Sequence, residues 1–129
     1  MKVVDKPWGR ELWWAVTGRY VGKVLEVRSG HALSLQYHRE KLESMMFWSG
    51  TGVLTLGEGQ RRVGPGECVT IEPGTPHRIE AESDMVILEV STPQVEDVVR
   101  LEDRYGRTGE VGRDAGVTAG RDPGGAEGG

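Results

Sequence analysis

The sequence predicts an all-β domain, an antiparallel sandwich or barrel closed by one short C-terminal helix. Residues 1 to about 92 read as short apolar or alternating runs cut by Gly, Pro and Ser turn signals. A helical period appears in one place, Pro93–Tyr105. The length, 129 residues, is that of one domain and argues against separate cofactor and substrate lobes.

The strands follow in order. Lys23–Val27 precedes the turn Ser29-Gly30, and Leu33–His38 alternates apolar and polar side chains with the period of two that a strand imposes. Met45–Trp48 and Val53–Leu56 flank Ser49-Gly50-Thr51-Gly52, a glycine turn of hairpin length. Cys68–Ile71 is stopped by Glu72-Pro73-Gly74-Thr75-Pro76, and His77–Glu80 and Met85–Val90 complete the set. For the helix, Ser91 or Thr92 can cap, Pro93 suits a first turn, and Glu96 and Asp97 favour the positive end of the dipole. Val95, Val98, Val99 and Leu101 make its apolar stripe. Four tryptophans outnumber the single Phe47, and of the pair Trp13-Trp14 one ring is expected in the core, the other over an edge or a partner subunit. Cys68 reads as a small core residue.

Sixteen Lys+Arg against 20 Asp+Glu give a net charge of −4 without a basic cluster, which argues against nucleic acid or an anionic membrane as partner. A small molecule is the expected ligand. The single cysteine makes no internal disulfide, and the start MKVVDKPWGR lacks the layout of a signal peptide, so a reduced, cytoplasmic setting is expected. No apolar run approaches the roughly 20 residues that span a bilayer. Residues 106–129 hold nine of the 20 glycines and two similar pieces, Gly112–Gly116 and Gly120–Gly124. That composition predicts a disordered tail following a folded domain at 1–105.

Two stretches carry chemistry. In Gly30-(5)-Gln36-Tyr37-His38-(4)-Glu43-(6)-Gly50, bracketed numbers counting intervening residues, Gln36 and His38 lie two apart on a strand and leave the same face. Arg39–Leu42 is long enough to turn the chain and return Glu43 beside them. In Gly66-(5)-Glu72-Pro73-Gly74-(2)-His77, a tight turn delivers an imidazole at the start of a later strand. Strand alternation points Arg78 and Glu80 away from the face of His77 and Ile79. Lys23 and Arg10 read as solvated surface charges, and His31 as a loop residue. One amide oxygen, two imidazoles and one carboxylate form a borderline donor set that suits zinc, manganese, iron(II), cobalt or nickel.

Both stretches resemble the two motifs of the cupin family, G-x5-H-x-H-x3,4-E-x6-G and G-x5-P-x-G-x2-H-x3-N. Its four metal-ligand positions fall here on Gln36, His38, Glu43 and His77. Gln36 replaces the first histidine, Glu72 the proline and Ala81 the final asparagine. Pro7-Trp8-Gly9, Leu33–His38 and His77-Arg78-Ile79-Glu80 are similar to segments of the type II phosphomannose isomerase branch, and the likeness spans about residues 6 to 105. The resemblance implies a double-stranded β-helix (jelly roll), a homodimer through an outer sheet face, a divalent metal, zinc foremost, and aldose–ketose isomerisation of a sugar phosphate. It names no catalytic base. Two other functions fit the same residues: an iron(II) dioxygenase built on two histidines and a carboxylate, and a non-catalytic sugar- or metabolite-binding module.

Overall fold

A computed structural model describes residues 1–110. Twelve strands are formed: β1 (Lys2–Lys6), β2 (Gly9–Val16), β3 (Val21–Val27), β4 (Leu35–Tyr37), β5 (Glu43–Ser49), β6 (Gly52–Leu56), β7 (Gly59–Val63), β8 (Cys68–Ile71), β9 (His77–Ala81), β10 (Met85–Ser91), β11 (Val99–Glu102) and β12 (Gly109–Glu110). They make two six-stranded antiparallel sheets, ordered β1-β2-β3-β10-β5-β8 and β12-β11-β4-β9-β6-β7. The pairs β3–β10, β4–β9, β5–β8 and β6–β7 are nested, and successive pairs alternate between the sheets. A long two-stranded ribbon has thus been coiled on itself, with its tip at the β6–β7 hairpin. That is a double-stranded β-helix.

Coiling buries one face of each sheet. Trp8, Leu25, Phe47, Leu54, Ile79 and Ile87 fill the space between them, all 0–1% exposed. Met85, Ile87, Glu89 and Ser91 point inward along β10 and Val86, Leu88 and Val90 outward, the alternation that a half-buried strand requires. Trp13 is buried and Trp14 exposed, dividing the tryptophan pair as expected.

Four expectations are corrected. The helix at Pro93–Tyr105 does not form, and no helix occurs among the described residues. Residues 93–98 are turns, and Val99–Glu102 pairs with β4, because Asp97 and Arg100 take up contacts with the His38 segment that a helix would deny them. Tertiary pairing outweighs a cap and a short apolar stripe. The turn at Ser49–Gly52 is no hairpin: it carries the chain from one sheet to the other, and the tight hairpin lies instead at Gly57-Glu58. Cys68 is exposed, because the inward positions of its strand go to Val69 and Ile71. Lys23 is buried, sharing the inward face of β3 with Val21 and Leu25. Strand β12 pairs with β11 and reaches Glu110. The Gly-rich remainder, 111–129, lies outside the described residues.

The sheet-to-sheet turn depends on one glycine. Gly50 has a φ of 81°, and a Cβ there would stand 2.0 Å from the Asp84 carbonyl oxygen. Backbone offers no room to relax, so Gly50→Ala is expected to destabilise the domain by about 2 kcal/mol or more. Chemical denaturation measures this, and a loss within about 0.5 kcal/mol, the range of an ordinary surface change, would contradict it.

Candidate metal centre

The coil brings together residues far apart in sequence. Gln36 sits in β4, His38 directly after it, Glu43 opens β5 and His77 opens β9. Register places Gln36 opposite His77, and Arg100 of β11 opposite Gln36, so these three side chains share the inner face of one sheet. All of them, with His38 and Glu43, are at most 4% exposed.

His38, Glu43 and His77 offer donor atoms within 4.8 Å of one another, a geometry that could hold a metal ion. Glu43 Oε1 lies 2.7 Å from His38 Nε2 and 3.2 Å from His77 Nε2. The far side of each imidazole fixes its tautomer. His38 Nδ1 lies 2.6 Å from the Asp97 carbonyl oxygen and His77 Nδ1 2.9 Å from that of Thr75. A carbonyl only accepts, so each Nδ1 donates, and in the neutral ring Nε2 carries a lone pair. Two lone pairs therefore converge on a carboxylate oxygen. Burial pushes the His38 pKa down, which favours its neutral form. Three acceptors aimed at one point match a shared cation, and the backbone-anchored Nδ1–H is the outer support that imidazole metal ligands ordinarily have. Gln36 donates its amide nitrogen to Ser34 Oγ at 2.8 Å, which fixes the carbonyl oxygen as the other end of the amide. A divalent metal ion accepts such a donor set, so the residues present fit the group that the resemblance implied.

Burial alone would raise the Glu43 carboxyl, but the charge of Lys41, together with hydrogen bonds from the imidazoles whenever a proton sits on Nε2, outweighs it and holds the group well below the usual carboxylate range. Lys41 is itself buried, 4.0 Å from Glu89. The Glu89 carboxyl is raised to about 7, first by burial and then by the charge of Glu43, against the pull of Lys41 and Lys23. Behind it Lys23 reaches Glu11 at 3.4 Å, and Glu11 lies 3.9 Å from Lys6. The barrel interior thus holds an alternating series of cations and anions beside the cluster.

Asp97, expected at a helix start, holds the His38 segment. Its carboxylate accepts the backbone N–H groups of Arg39, Glu40 and Lys41 at 2.7–2.9 Å, while its carbonyl orients His38. Arg78 and Glu80 point away from the cluster, as alternation required, and Arg10 is exposed beside Glu26. Glu89 was within reach of sequence reasoning, since it shares the inward phase of Met85 and Ile87. Lys41, Asp97 and Arg100 were not, since their positions are set by pairing across the fold.

A jelly-roll barrel with a buried His-Glu-His cluster defines the class of domain. The Cupin domain family model matches residues 23–91, and the chain belongs to that family. Among curated proteins it is 33% identical over 109 residues to the mannose-1-phosphate guanylyltransferase ManC of Salmonella typhimurium, covering 81% of this chain and 23% of that protein. To the xanthan biosynthesis protein XanB of Xanthomonas campestris it is 32% identical over 110 residues, covering 81% of this chain and 24% of that one. The chain therefore spans about a quarter of these relatives. Among solved structures, KdgF from Halomonas superposes with a TM-score of 0.69 at 19% identity, covering 75% of this chain and 92% of KdgF, a likeness of fold.

Two measurements check these roles. Asp97→Ala removes the acceptor for three backbone N–H groups and is expected to cost about 1–3 kcal/mol in chemical denaturation; an unchanged midpoint would refute the anchoring role. Glu89, with a folded value near 7 against 4.5 when free, stabilises the fold fully below pH 4.5, and that contribution is lost as pH rises through about 7. The melting temperature of Glu89→Gln is therefore expected to fall less than that of the native domain between pH 5 and pH 8. Parallel curves would show that Glu89 does not titrate there.

Proposed function

We propose that this domain is a metal-dependent sugar-phosphate isomerase that interconverts aldose and ketose forms, with a mannose phosphate as its aldose. Gln36, His38, Glu43 and His77 would hold the ion, zinc foremost. The observation that carries the reading is the convergence of two tautomer-locked imidazoles on a buried carboxylate. A divalent ion supplies Lewis acidity that draws electron density from a sugar carbonyl. The chain's own residues supply the rest. Glu43 is a single negative charge among the donors, so a divalent ion keeps net positive charge toward substrate. Arg100 and Lys41, buried at the same end of the barrel, give an anionic sugar phosphate a favourable potential in a water-poor setting. Glu89, outside the donor set, titrates near pH 7, the range in which a side chain can both take up and return a proton.

The relatives support the substrate class, since ManC is a mannose-1-phosphate guanylyltransferase. Their nucleotidyl transfer is not carried over, because the chain matches only about a quarter of their length. The three-residue set of two histidines and one carboxylate also supports a second reading as an iron(II) oxygenase.

The test is turnover of the chain loaded with one ion. Exchange between mannose 6-phosphate and fructose 6-phosphate is expected with zinc, and Glu43→Gln should weaken metal binding and turnover by roughly a hundredfold. A fully zinc-loaded sample without exchange would remove the isomerase. Oxygen uptake by the iron form would install the oxygenase instead.

A further inference from the structure

Three segments cross between the sheets at the end of the barrel where the donor cluster lies: 38–42, 72–76 and 92–98. Ser91 stands opposite Glu43 and Val99 opposite Tyr37, so 38–42 and 92–98 join the same two pairs of strands and run side by side. The cluster beside them is closed, with His38, Glu43 and His77 at most 4% exposed. A ligand the size of a sugar phosphate reaches their free donor atoms only if part of this cover moves. The crossings are not held alike. Backbone ties 72–76, where Gly74 N–H donates to the His38 carbonyl at 2.6 Å and Gly57 N–H to that of Pro76 at 2.8 Å. Within 92–98 the backbone bonds are short turns, from Val95 to Pro93, Asp97 to Gln94 and Val98 to Glu96. Its hold on the neighbouring crossing is one backbone bond, Thr92 N–H to the Leu42 carbonyl, and two side chains. Thr92 Oγ1 accepts Leu42 N–H at 3.0 Å, and the Asp97 carboxylate accepts those of Arg39, Glu40 and Lys41.

We propose that residues 92–98 are a lid on the donor cluster whose closure is coupled to metal binding through His38. The inference rests on the metal-binding reading given above. The link is the Asp97 carbonyl, which takes the Nδ1–H of His38 at 2.6 Å. A cation at Nε2 draws charge from the ring and makes Nδ1–H a stronger donor, which tightens that bond and the lid with it. In the other direction, the closed lid holds the ring with Nε2 toward Glu43, whereas an open lid leaves Nδ1–H without its acceptor and the ring free to turn. Such coupling is reciprocal: the factor by which closure raises metal affinity is the factor by which metal suppresses opening. Loss of an outer support of this kind ordinarily weakens metal binding by roughly 10–100-fold. Of the two imidazoles only His38 senses the lid, since His77 Nδ1 is bonded within its own turn, to Thr75. Opening admits the substrate, and closure excludes water from the reacting groups.

Hydrogen exchange of the full chain, read amide by amide with and without zinc, tests this. Without metal, the amides of Arg39, Glu40 and Lys41 are expected to exchange roughly tenfold or more faster than those of β3, which is paired on both sides, because local opening releases them. Saturating zinc should slow these three amides about tenfold or more. Asp97→Ala should weaken zinc binding, measured by competition with a chromophoric chelator, by a similar factor, and Asp97→Asn, which keeps one acceptor oxygen, by less. Zinc that binds the native chain and leaves the three amides unchanged overturns the lid alone. So do amides at 39–41 that exchange no faster than β3 in the metal-free chain, and so does an Asp97→Ala chain that binds zinc as tightly as the native one. A native chain that binds no zinc overturns the lid and the isomerase reading together. Should Asp97→Ala fail to fold, exchange of the native chain decides.

Discussion

A carboxylate 2% exposed and flanked by two imidazole nitrogens cannot remain ionised without positive charge close by, and the rest of the interior is arranged around that constraint. Lys41 supplies part of the charge. Lys41 is buried in turn, and the charge of Glu43 first and of Glu89 second holds its ammonium; Glu89 shares the interior with Lys23, and Lys23 leans on Glu11. Each step satisfies the one before and creates the next. At the far end Lys23 sits 4.2 Å from the centre of the Trp13 ring, where the series passes from ion pairs to a cation–π contact.

The imidazoles depend on a second set of contacts made by backbone. Because Nδ1 of each ring is committed to a carbonyl, the tautomer is decided by the main chain at Asp97 and Thr75. The Thr75 carbonyl belongs to the turn just before His77, whereas the Asp97 carbonyl is held by structure well away from His38 in sequence. Asp97 reaches back 58 residues to accept Arg39 N–H, and β11 follows immediately to pair with β4. The final strands therefore complete the site's outer support, which explains why the chain continues past β10 rather than stopping when the ribbon closes.

This also explains what could and could not be read from the sequence. The glycine-punctuated spacings placed Gln36, His38, Glu43 and His77 on the strands and turns where they occur, because turns and alternation are local. The Pro93–Tyr105 helix failed because Asp97 and Arg100 obey partners nearly 60 residues away, and no local signal records them. Lys23 looked like a surface charge because lysine is rarely buried, and only the position of Glu11 across the β2–β3 pair makes its burial tolerable. The Ser49–Gly52 turn has hairpin length, yet length does not distinguish a return within one sheet from a crossing to another.

The same three strands tie the charged interior to the apolar exterior. Along β3, β5 and β10 the inward positions include Lys23, Glu43 and Glu89, and the outward ones Val24, Met46, Leu88 and Val90. This inverts the ordinary pattern at the site's end of the sheet. A register slip of one residue would turn the ionic groups out to water and draw the apolar row in, and with them it would turn out Leu25, Met45, Phe47, Met85 and Ile87. The native register is held by the ion pairs and by Trp8, Phe47 and Ile87, which occupy inward positions at the other end of the barrel. The apolar outer row and the charged interior are therefore two consequences of one strand alternation, since each fixes which side chains the other face of the same strands can carry.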